Sequence, residues 1–296
     1  MRRRRAEVTA APQCYPVGVT PRATISRCTL ALLAFAIPGG FAVAGCSLLP
    51  IGRRHVEIHG VRIAYRVHGH GPKLLLLHGG GGSSLGLSRQ ILDFGRRFTV
   101  IAPDSRSHGG SDDPGDTLSY HVMAEDWIAL LDKLKLARVD VVGWSDGGIV
   151  GLDLTLHHPD RVRKLVMFGV NFTPDGVDPA TLDWLRRSWA EDSAAAEVTV
   201  PLPLDARLHR LWLTQPNFTI GELHGIEAPT LVAVGDHDLP TLEHTIALAR
   251  AIPGAQLCVI PGASHGVLHE RPDIADEIVL QFLKAPIRAA RHSPQL

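Results

Sequence analysis

The sequence of 296 residues has no excess of either charge, because 30 lysine and arginine residues balance 30 aspartate and glutamate residues. Proteins that bind nucleic acid usually present a clustered basic face, which a balanced charge does not indicate. Hydrophobic residues make up 45% of the chain, and the length is ample for one large domain with a small insertion. We therefore expect a globular protein without a nucleic-acid partner.

Cysteine is scarce, and its spacing argues against two kinds of site. The four cysteines are Cys14, Cys28, Cys46 and Cys258, and no pair has the C-x-x-C spacing of zinc ligands or implies a disulfide framework. The 16 histidines are scattered, and no H-E-x-x-H helix is present. A G-K-[ST] loop and a dinucleotide-binding G-x-G-x-x-G turn are also missing. The sequence therefore predicts no metal site and no cofactor.

The first fifty residues have the composition of an export signal. Arg2–Arg5, Arg22 and Arg27 precede an apolar run over Thr29–Ile37. A basic start, a short apolar stretch and small residues are the three parts of a secretory signal peptide. The segment ends with Val43-Ala44-Gly45-Cys46, which resembles the bacterial lipobox, where the cysteine becomes the lipidated first residue of the mature protein.

This resemblance implies a lipoprotein signal peptide over residues 1–45, lipidation at Cys46 and a tether over residues 46–54. The protein would then be exported and anchored to the outer face of a bacterial membrane. Two alternatives stay open. The apolar run could remain as a transmembrane anchor, although Pro38 weakens a helix of marginal length. The chain could also be cytoplasmic, with an over-extended start. Separately, the basic region before the apolar run is unusually long, which leaves open a true start further downstream, for example near Val17.

From residue 55 onward, strand and helix patterns alternate. The segments His55–His59 and Val61–Val67 alternate around Gly60, which predicts an antiparallel hairpin. Continuous apolar runs, typical of strands buried on both faces of a sheet, follow at Lys73–Leu77, Phe98–Ala102, Val139–Val142, Lys164–Phe168, Thr230–Val234 and Leu257–Ile260. Helical patterns occupy Ser119–Leu136, Thr241–Ile252 and Pro272–Phe282. This alternation predicts an α/β fold with a mostly parallel, doubly wound sheet.

One segment interrupts the alternation. Residues 171–227 have no strong strand pattern but hold Trp184, Trp189 and Trp212, three of the five tryptophans. We predict a small helical cap here, whose tryptophans either line a substrate pocket or only attach the cap to the core. The other predicted boundaries are a core over residues 55–170 and 228–284 and a C-terminal tail over residues 285–296.

The segment Gly143-Trp144-Ser145-Asp146-Gly147 has the G-x-S-x-G pattern of a nucleophilic serine. The pattern is short, but a predicted strand, Val139–Val142, precedes it and a helical run, Ile149–Leu156, follows it, which is the expected context. Such a turn is strained, and side chains at its two glycines would clash with the crowded backbone. The turn would lift Ser145 above the sheet at a helix N-terminus, where developing negative charge is favoured.

A glycine-rich loop, His78-Gly79-Gly80-Gly81-Gly82, directly follows the predicted strand Lys73–Leu77. Glycines after a buried strand let backbone N–H groups approach a substrate closely. A phosphate-binding loop is the rival interpretation, but its lysine and its helix are missing. An oxyanion hole formed by the backbone N–H groups of Gly80 and Asp146 fits better, and each donor would stabilise the transition state by roughly 3–4 kcal/mol.

Two later strand ends carry an acid and a base. Gly235-Asp236-His237-Asp238 ends one strand, and Gly262-Ala263-Ser264-His265-Gly266 follows the next. His265 would take the proton of Ser145 and return it to the leaving group, while an aspartate would hold the histidine tautomer. Both Asp236 and Asp238 are candidates for that aspartate.

With these motifs the sequence resembles the α/β-hydrolase family over nearly all of residues 55–284. Family members usually use the second acid of such a turn, so the resemblance implies Asp238 rather than Asp236. Residues Asp104–Ser111 resemble the family's D-x-R-G-x-G-x-S loop, with Ser107 in place of a glycine. The role of that loop is mainly structural, so His108 is expected to support the site rather than to act in catalysis.

The stretch Gly143–Ile149 resembles that of the valacyclovir hydrolase (biphenyl hydrolase-like) branch of the family. The matching aspartate there is thought to bind the α-amino group of amino-acid esters, which implies an ammonium contact for Asp146; the alternative is a merely polar residue at the helix start. We expect a serine hydrolase that cleaves small-molecule carboxylic esters through an acyl-enzyme. A C–C bond hydrolase, a cofactor-free perhydrolase or haloperoxidase, and a non-catalytic binding lipoprotein stay as alternatives.

Overall fold

The computed structural model describes residues 51–115, 118–195 and 201–287. The predicted signal peptide and the predicted lipidation at Cys46 lie outside these residues. The strands are β1 (Arg53–Ile58), β2 (Val61–His68), β3 (Lys73–Leu77), β4 (Thr99–Pro103), β5 (Val139–Trp144), β6 (Val162–Phe168), β7 (Thr230–His237) and β8 (Gln256–Ser264). The helices among the described residues are α1 (Ser88–Gly95), α2 (Tyr120–Lys133), α3 (Asp146–His157), α4 (Pro179–Ala195), α5 (Leu204–Thr214), α6 (Ile220–His224), α7 (Leu242–Ala251), α8 (Val267–Glu270) and α9 (Pro272–Lys284).

All eight strands form one sheet in the order β1-β2-β4-β3-β5-β6-β7-β8. The strands from β4 to β8 in that order pair in parallel, whereas β1 pairs with β2, and β2 with β4, in the antiparallel sense. This is the predicted mostly parallel sheet with an opening hairpin. Parallel neighbours need long crossover connections, and the helices between the strands provide them.

The hairpin between β1 and β2 turns at His59 and Gly60. Both residues have positive φ, at 48° and 76°, which is the backbone of a two-residue turn that matches the twist of the strands. Strand β1 begins at Arg53, two residues earlier than the hairpin predicted from the sequence. Arg53 and Arg54 of the predicted tether therefore belong to the sheet, because they pair with Arg66 and Tyr65.

The sheet is buried on both faces, as its continuous apolar strands predict. In β3, Leu75 and Leu77 pack into the core on one face, while Leu74 and Leu76 pack into a second core on the other. All four are at most 2% exposed. Successive side chains of a strand point to opposite faces, so a strand with helices on both sides must be apolar throughout.

Between β6 and β7 the chain leaves the sheet for the segment that the sequence predicts as a cap. It holds a 3-10 turn over Pro174–Gly176 and the helices α4, α5 and α6. Most of this segment is described, apart from residues 196–200. Within the described ranges, no helix has the length and apolar character needed to cross a membrane.

Candidate active site

Ser145 occupies a strained turn between β5 and α3. Its φ of 54° and ψ of −125° are unfavourable for a residue with a side chain. The two flanking glycines make the turn possible. A Cβ atom at Gly143 would lie 2.3 Å from the carbonyl oxygen of Gly147, and one at Gly147 would lie 2.5 Å from that of Leu77. The crowding expected from the sequence is therefore present, and it leaves Ser145 at the start of α3.

Ser145, His265 and Asp238 form a hydrogen-bonded series. Ser145 Oγ lies 2.9 Å from His265 Nε2, and His265 Nδ1 lies 2.6 Å from Asp238 Oδ1. The side chain of Asp238 is fully buried, and its oxygens also accept from the backbone N–H groups of Gly235 and Leu239. An aspartate with these contacts holds the histidine in the tautomer that can accept the serine proton.

The competing carboxylate, Asp236, faces elsewhere. It contacts the ring of its neighbour His237 at 2.8 Å and accepts from the backbone N–H of Ala263. Hydrogen bonds from backbone N–H groups, and from His237, hold the pKa of Asp236 at about 2. The geometry therefore brings Asp238 to His265, whereas Asp236 links the end of β7 to the end of β8 through the backbone N–H of Ala263.

Gly169, directly after β6, belongs to this site although no sequence motif marked it. Its φ is 60°, and a Cβ atom there would lie 3.0 Å from His265 Nδ1 and 3.1 Å from Asp238 Oδ2. A side chain would press on the contact between the histidine and the aspartate. The signal in the sequence was only a glycine at the carboxyl end of a parallel strand.

The glycine-rich loop lies against the nucleophile turn. A Cβ atom at Gly79 would lie 3.1 Å from Ser145 Cβ, and one at Gly80 would lie 2.4 Å from Asp146 Oδ2. The ring of His78 fixes the conformation of this loop through two hydrogen bonds. Its Nε2 accepts from the backbone N–H of Ser105, which leaves Nδ1 to donate to the carbonyl of Gly79 at 2.7 Å. Burial lowers the pKa of His78 to about 4, which keeps the ring neutral in this role.

Asp146 lies in the wall of the site with its carboxylate buried. Its Oδ1 accepts from the hydroxyl of Tyr120 at 2.9 Å, and both oxygens lie 3.0 Å from Trp212 Nε1. Both of these donors are uncharged. Burial raises the pKa of Asp146, an effect that the two hydrogen bonds oppose. Asp146 thus joins the core helix α3 to the cap helix α5, a contact that the sequence analysis missed.

A pocket of about 260 Å³ opens onto Ser145 and His265. Its wall combines residues of the core with residues of the cap segment, and most of it is apolar. Of the three tryptophans in that segment, Trp184 and Trp212 line the pocket, whereas Trp189 does not. The further lining residues include Gly80, Tyr120, Trp144, Asp146, Asn171, Leu185, Gln215 and Leu239.

The loop over Asp104–Ser111 has a structural role next to the site, and hydrogen bonds fix its conformation. Asp104 accepts from the backbone N–H groups of Ser84 and Gly110 at 2.7 and 2.8 Å. Arg106 forms a buried two-point contact with Asp126. His108 is buried, and its Nδ1 lies 2.8 Å from the carbonyl of Arg106. Ser107 takes the glycine position of the loop with a φ of 66°, which explains why glycine is usual there.

Comparisons with known proteins give the family. Residues 72–215 match the family described as alpha/beta hydrolase fold. The putative carbamate hydrolase RutD of a Caulobacter species is 31% identical over 255 residues, covering 74% of this chain and 94% of that protein. The serine hydrolase BPHL of Homo sapiens is 28% identical over 250 residues, covering 77% of this chain and 85% of that protein. The chain belongs to the α/β-hydrolase family.

A further relative is similar to this chain over only part of either protein's length. An uncharacterized protein of Mycobacterium tuberculosis is 39% identical over 110 residues, which are 37% of this chain. The match spans only 32% of that mycobacterial protein.

Two solved structures extend the likeness to the whole fold. The enol-lactonase from Burkholderia xenovorans has a TM-score of 0.65 and 25% identity, with 78% of this chain and all of that one covered. Est816, an N-acyl homoserine lactone degrading enzyme, has a TM-score of 0.63 and 30% identity, with 77% and 100% covered. The predicted α/β-hydrolase fold is confirmed.

Proposed function

We propose that the protein is a serine hydrolase that cleaves carboxylic esters of small molecules through an acyl-enzyme. One observation carries the proposal: the hydrogen-bonded series of Ser145, His265 and Asp238 in the wall of a pocket of about 260 Å³. A strained serine at a helix N-terminus, with a buried acid and a histidine, is the arrangement that serine hydrolases use.

In this mechanism Ser145 Oγ attacks the ester carbonyl carbon while His265 Nε2 takes the hydroxyl proton. Asp238 stabilises the imidazolium that forms. The carbonyl oxygen becomes an oxyanion, and the donors that we assign to it are the backbone N–H groups of Gly80 and Asp146. His265 then gives its proton to the leaving alcohol, and the acyl group stays on Ser145. A water molecule, deprotonated by His265, hydrolyses the acyl-enzyme and restores the serine.

The pocket supports small, partly apolar substrates. Its volume of about 260 Å³ suits a short acyl chain or a small alcohol, and aromatic side chains form much of its wall. An enol-lactonase is among the proteins of similar structure, and a lactone is a cyclic carboxylic ester. The similar putative carbamate hydrolase makes carbamates the first competing class.

We further propose that Asp146 contacts an ammonium group of the substrate. Asp146 is one of the residues that line the pocket, and the two donors to its carboxylate, Tyr120 and Trp212, are uncharged. A cation in the pocket would therefore meet an anion that no formal charge in those contacts neutralises. A carboxylate can accept about four hydrogen bonds, which leaves room for an ammonium donor. Esters of amino acids carry such a group next to the scissile carbonyl.

A substrate panel with matched variants tests the reaction class. The full chain should hydrolyse p-nitrophenyl acetate and butyrate and react with a fluorophosphonate probe. Ser145→Ala should lower kcat by about 10³-fold or more and abolish labelling, because the nucleophile is lost. Ser193→Ala, on cap helix α4 outside the proposed series, is the control and should keep both properties. The same panel tests the alternative reactions: an aryl carbamate for carbamate hydrolysis, a ring-cleavage product for C–C bond hydrolysis, and peroxide for perhydrolase or haloperoxidase activity. Full activity in Ser145→Ala would refute the mechanism, and a clear preference for the carbamate would replace the ester assignment.

A further inference from the structure

A second cluster of reactive side chains lies on α2 and α3, away from the pocket. His121 Nδ1 lies 2.9 Å from Asp153 Oδ1, and His157 Nδ1 lies 3.1 Å from the same oxygen. The two histidine rings are 4.7 Å apart between centroids, and one ligand atom of each of the three residues lies within 4.8 Å of the others. None of the three lines the pocket at Ser145. We call these residues the α2–α3 cluster.

Two of the three distances between ligand atoms in the α2–α3 cluster, those from each histidine nitrogen to the Asp153 oxygen, are close to those of a metal coordination sphere. Zinc binds histidine nitrogen and carboxylate oxygen at about 2.0–2.2 Å, so two ligands of a tetrahedral site are about 3.3–3.6 Å apart. The two nitrogen–oxygen distances, 2.9 and 3.1 Å, are slightly shorter than this value. The histidines are 53% and 48% exposed, so rotation of their side chains can open the cluster by the few tenths of an ångström required.

The electrostatics of the α2–α3 cluster favour a cation. The side chain of Asp153 is only 6% exposed, and its contacts are the two histidines, which carry a positive charge only when protonated. A buried carboxylate is costly unless a partner of opposite charge compensates it. Asp153 and His157 also lie in the last turns of α3, where the helix dipole favours positive charge, whereas His121 lies in the first turn of α2, where the dipole of that helix opposes it. A divalent ion would supply that charge without a proton.

A second carboxylate flanks the cluster. Glu125, one turn after His121 on α2, lies 2.6 Å from His158 Nε2 and 4.0 Å from His121 Nε2. His121 therefore faces Asp153 with one nitrogen and Glu125 with the other. At 4.0 Å this carboxylate is too far from His121 Nε2 for a hydrogen bond, so it would orient the ring of a ligating histidine only after a small side-chain rotation.

We propose that the α2–α3 cluster binds one divalent transition-metal ion of the zinc type through His121 Nδ1, His157 Nδ1 and a carboxylate oxygen of Asp153. Water would complete the coordination sphere on the exposed side. Nitrogen and oxygen ligands of this kind suit Zn²⁺, Ni²⁺, Co²⁺ and Cu²⁺, whereas Mg²⁺ and Ca²⁺ prefer oxygen ligands alone. The site is separate from hydrolysis. The ion would link the first turn of α2 to the last turns of α3, about 10 Å along the helix from Asp146.

The sequence predicted no metal site because it held no continuous motif. Asp153 and His157 are four residues apart on one helix face, which is a spacing that metal sites use, but a pair alone is common. The third residue, His121, comes from another helix, 32 residues earlier in the chain. Only the packing of α2 on α3 brings it to the pair.

Zinc titration of the full chain, after treatment with EDTA, tests the proposal. Isothermal calorimetry at pH 7.5 should show a site that binds one Zn²⁺, with a melting temperature that rises with zinc concentration, and Mg²⁺ should not compete. His121→Ala and His157→Ala should each weaken this binding by at least about tenfold. His70→Ala removes an exposed histidine far from the cluster in the sequence and should leave the binding unchanged. Co²⁺ bound in place of zinc should lack the charge-transfer absorption of thiolate ligands, which separates this site from the cysteines.

Melting temperature and ester hydrolysis show whether a variant has lost the metal site alone or has also lost its fold or its activity. The melting temperatures without zinc should match for all four proteins, because both histidines are half exposed; if one alanine variant is destabilised, the corresponding glutamine variant replaces it. Ester hydrolysis should be the same with zinc, with EDTA and in every variant. Equal zinc binding by wild type and both cluster variants would overturn the proposal, and so would an equal loss in His70→Ala, which would indicate adventitious binding to surface histidines.

Discussion

Asp236 and Asp238 are two residues apart in the chain but have opposite environments. Asp238 is fully buried against His265, whereas Asp236 lies at the surface of the turn beside His237. Residues i and i+2 of a regular strand share a face, but β7 ends at His237 and its register with β8 is irregular between Gly235 and His237, so Asp238 lies outside that alternation. The sequence alone left both carboxylates as candidates, and only the resemblance to the family favoured Asp238.

Substitution of each acid by asparagine tests this assignment. Asp238→Asn should lower kcat for p-nitrophenyl butyrate by about 10³–10⁴-fold, because an amide cannot hold the tautomer of His265 or stabilise its cation. Asp236→Asn should change kcat by no more than about twofold, as a surface substitution usually does. The two rates are measured at the same pH, with thermal melting as the check on folding. If Asp236→Asn were the damaging change, the roles of the two acids would be exchanged.

Asp146 has two parts with separate roles in the proposal. Its backbone N–H is assigned to the oxyanion, and its carboxylate is assigned to a substrate ammonium. Asp146→Asn separates the two, because it leaves the backbone in place and keeps the oxygen, Oδ1, that contacts both Tyr120 and Trp212.

An amino-acid ester and its des-amino analogue measure the ammonium contact. The ratio of their kcat/KM values should fall by about tenfold or more in Asp146→Asn, because a charge-assisted hydrogen bond contributes about 1.5–3 kcal/mol. Since burial raises the pKa of Asp146, the wild-type ratio should rise with pH as the carboxylate ionises. It should then fall as the substrate amine loses its proton, at about pH 8. A ratio that is independent of pH and the same in Asp146→Asn would leave Asp146 as a link between core and cap.

At the scale of elements, α3 connects two different chemical environments. Its N-terminus follows Ser145, where the dipole favours an oxyanion, and its last turns hold Asp153 and His157, where the dipole favours a cation. One helix, which lies over the centre of the sheet, therefore provides both environments. The sequence predicted this helix well, because a buried strand and a glycine-flanked turn precede it, but only the first of its two ends had a recognisable motif.

The cap shows where element prediction lost precision. The absence of strand patterns in residues 171–227 predicted a helical cap, and the described part of this segment holds α4, α5 and α6, yet the sequence did not tell which tryptophan would reach the pocket. Trp212 does so because α5 places it 3.0 Å from the carboxylate of Asp146, 66 residues away in the chain. Trp189, only five residues after Trp184 on the same helix α4, does not line the pocket.

At the scale of the whole molecule, the residues before β1 bear on where the hydrolase acts. We propose that it is exported and held at a membrane surface by lipid on Cys46, in agreement with the sequence Val43-Ala44-Gly45-Cys46. One acyl chain binds a membrane only weakly, and two or more hold a protein stably. The short segment between Cys46 and β1 at Arg53 would then place the folded part close to the lipid surface.

Metabolic labelling with a fatty-acid probe in a bacterial host tests this proposal. The wild-type protein should incorporate the probe and sediment with membranes, and Cys46→Ser should do neither, because the lipidated thiol is removed. Cys28→Ser, within the predicted signal peptide, is the control and should behave like wild type. Label in both variants would point to another acceptor, and a soluble, unlabelled wild type would contradict the lipoprotein assignment.

The sequence by itself determined the strands, the nucleophile turn and the family, since these depend on neighbours in the chain: apolar runs, alternation, and glycines at fixed offsets from Ser145. The tertiary structure decided what depends on residues that are distant in the chain. The pairing of His265 with Asp238, the contacts of Asp146 with the cap, the space that Gly169 leaves for His265 and the α2–α3 cluster are all of this kind. Each is a distance of a few ångströms between side chains, set by how the helices pack on the sheet, and a linear pattern carries no such distance.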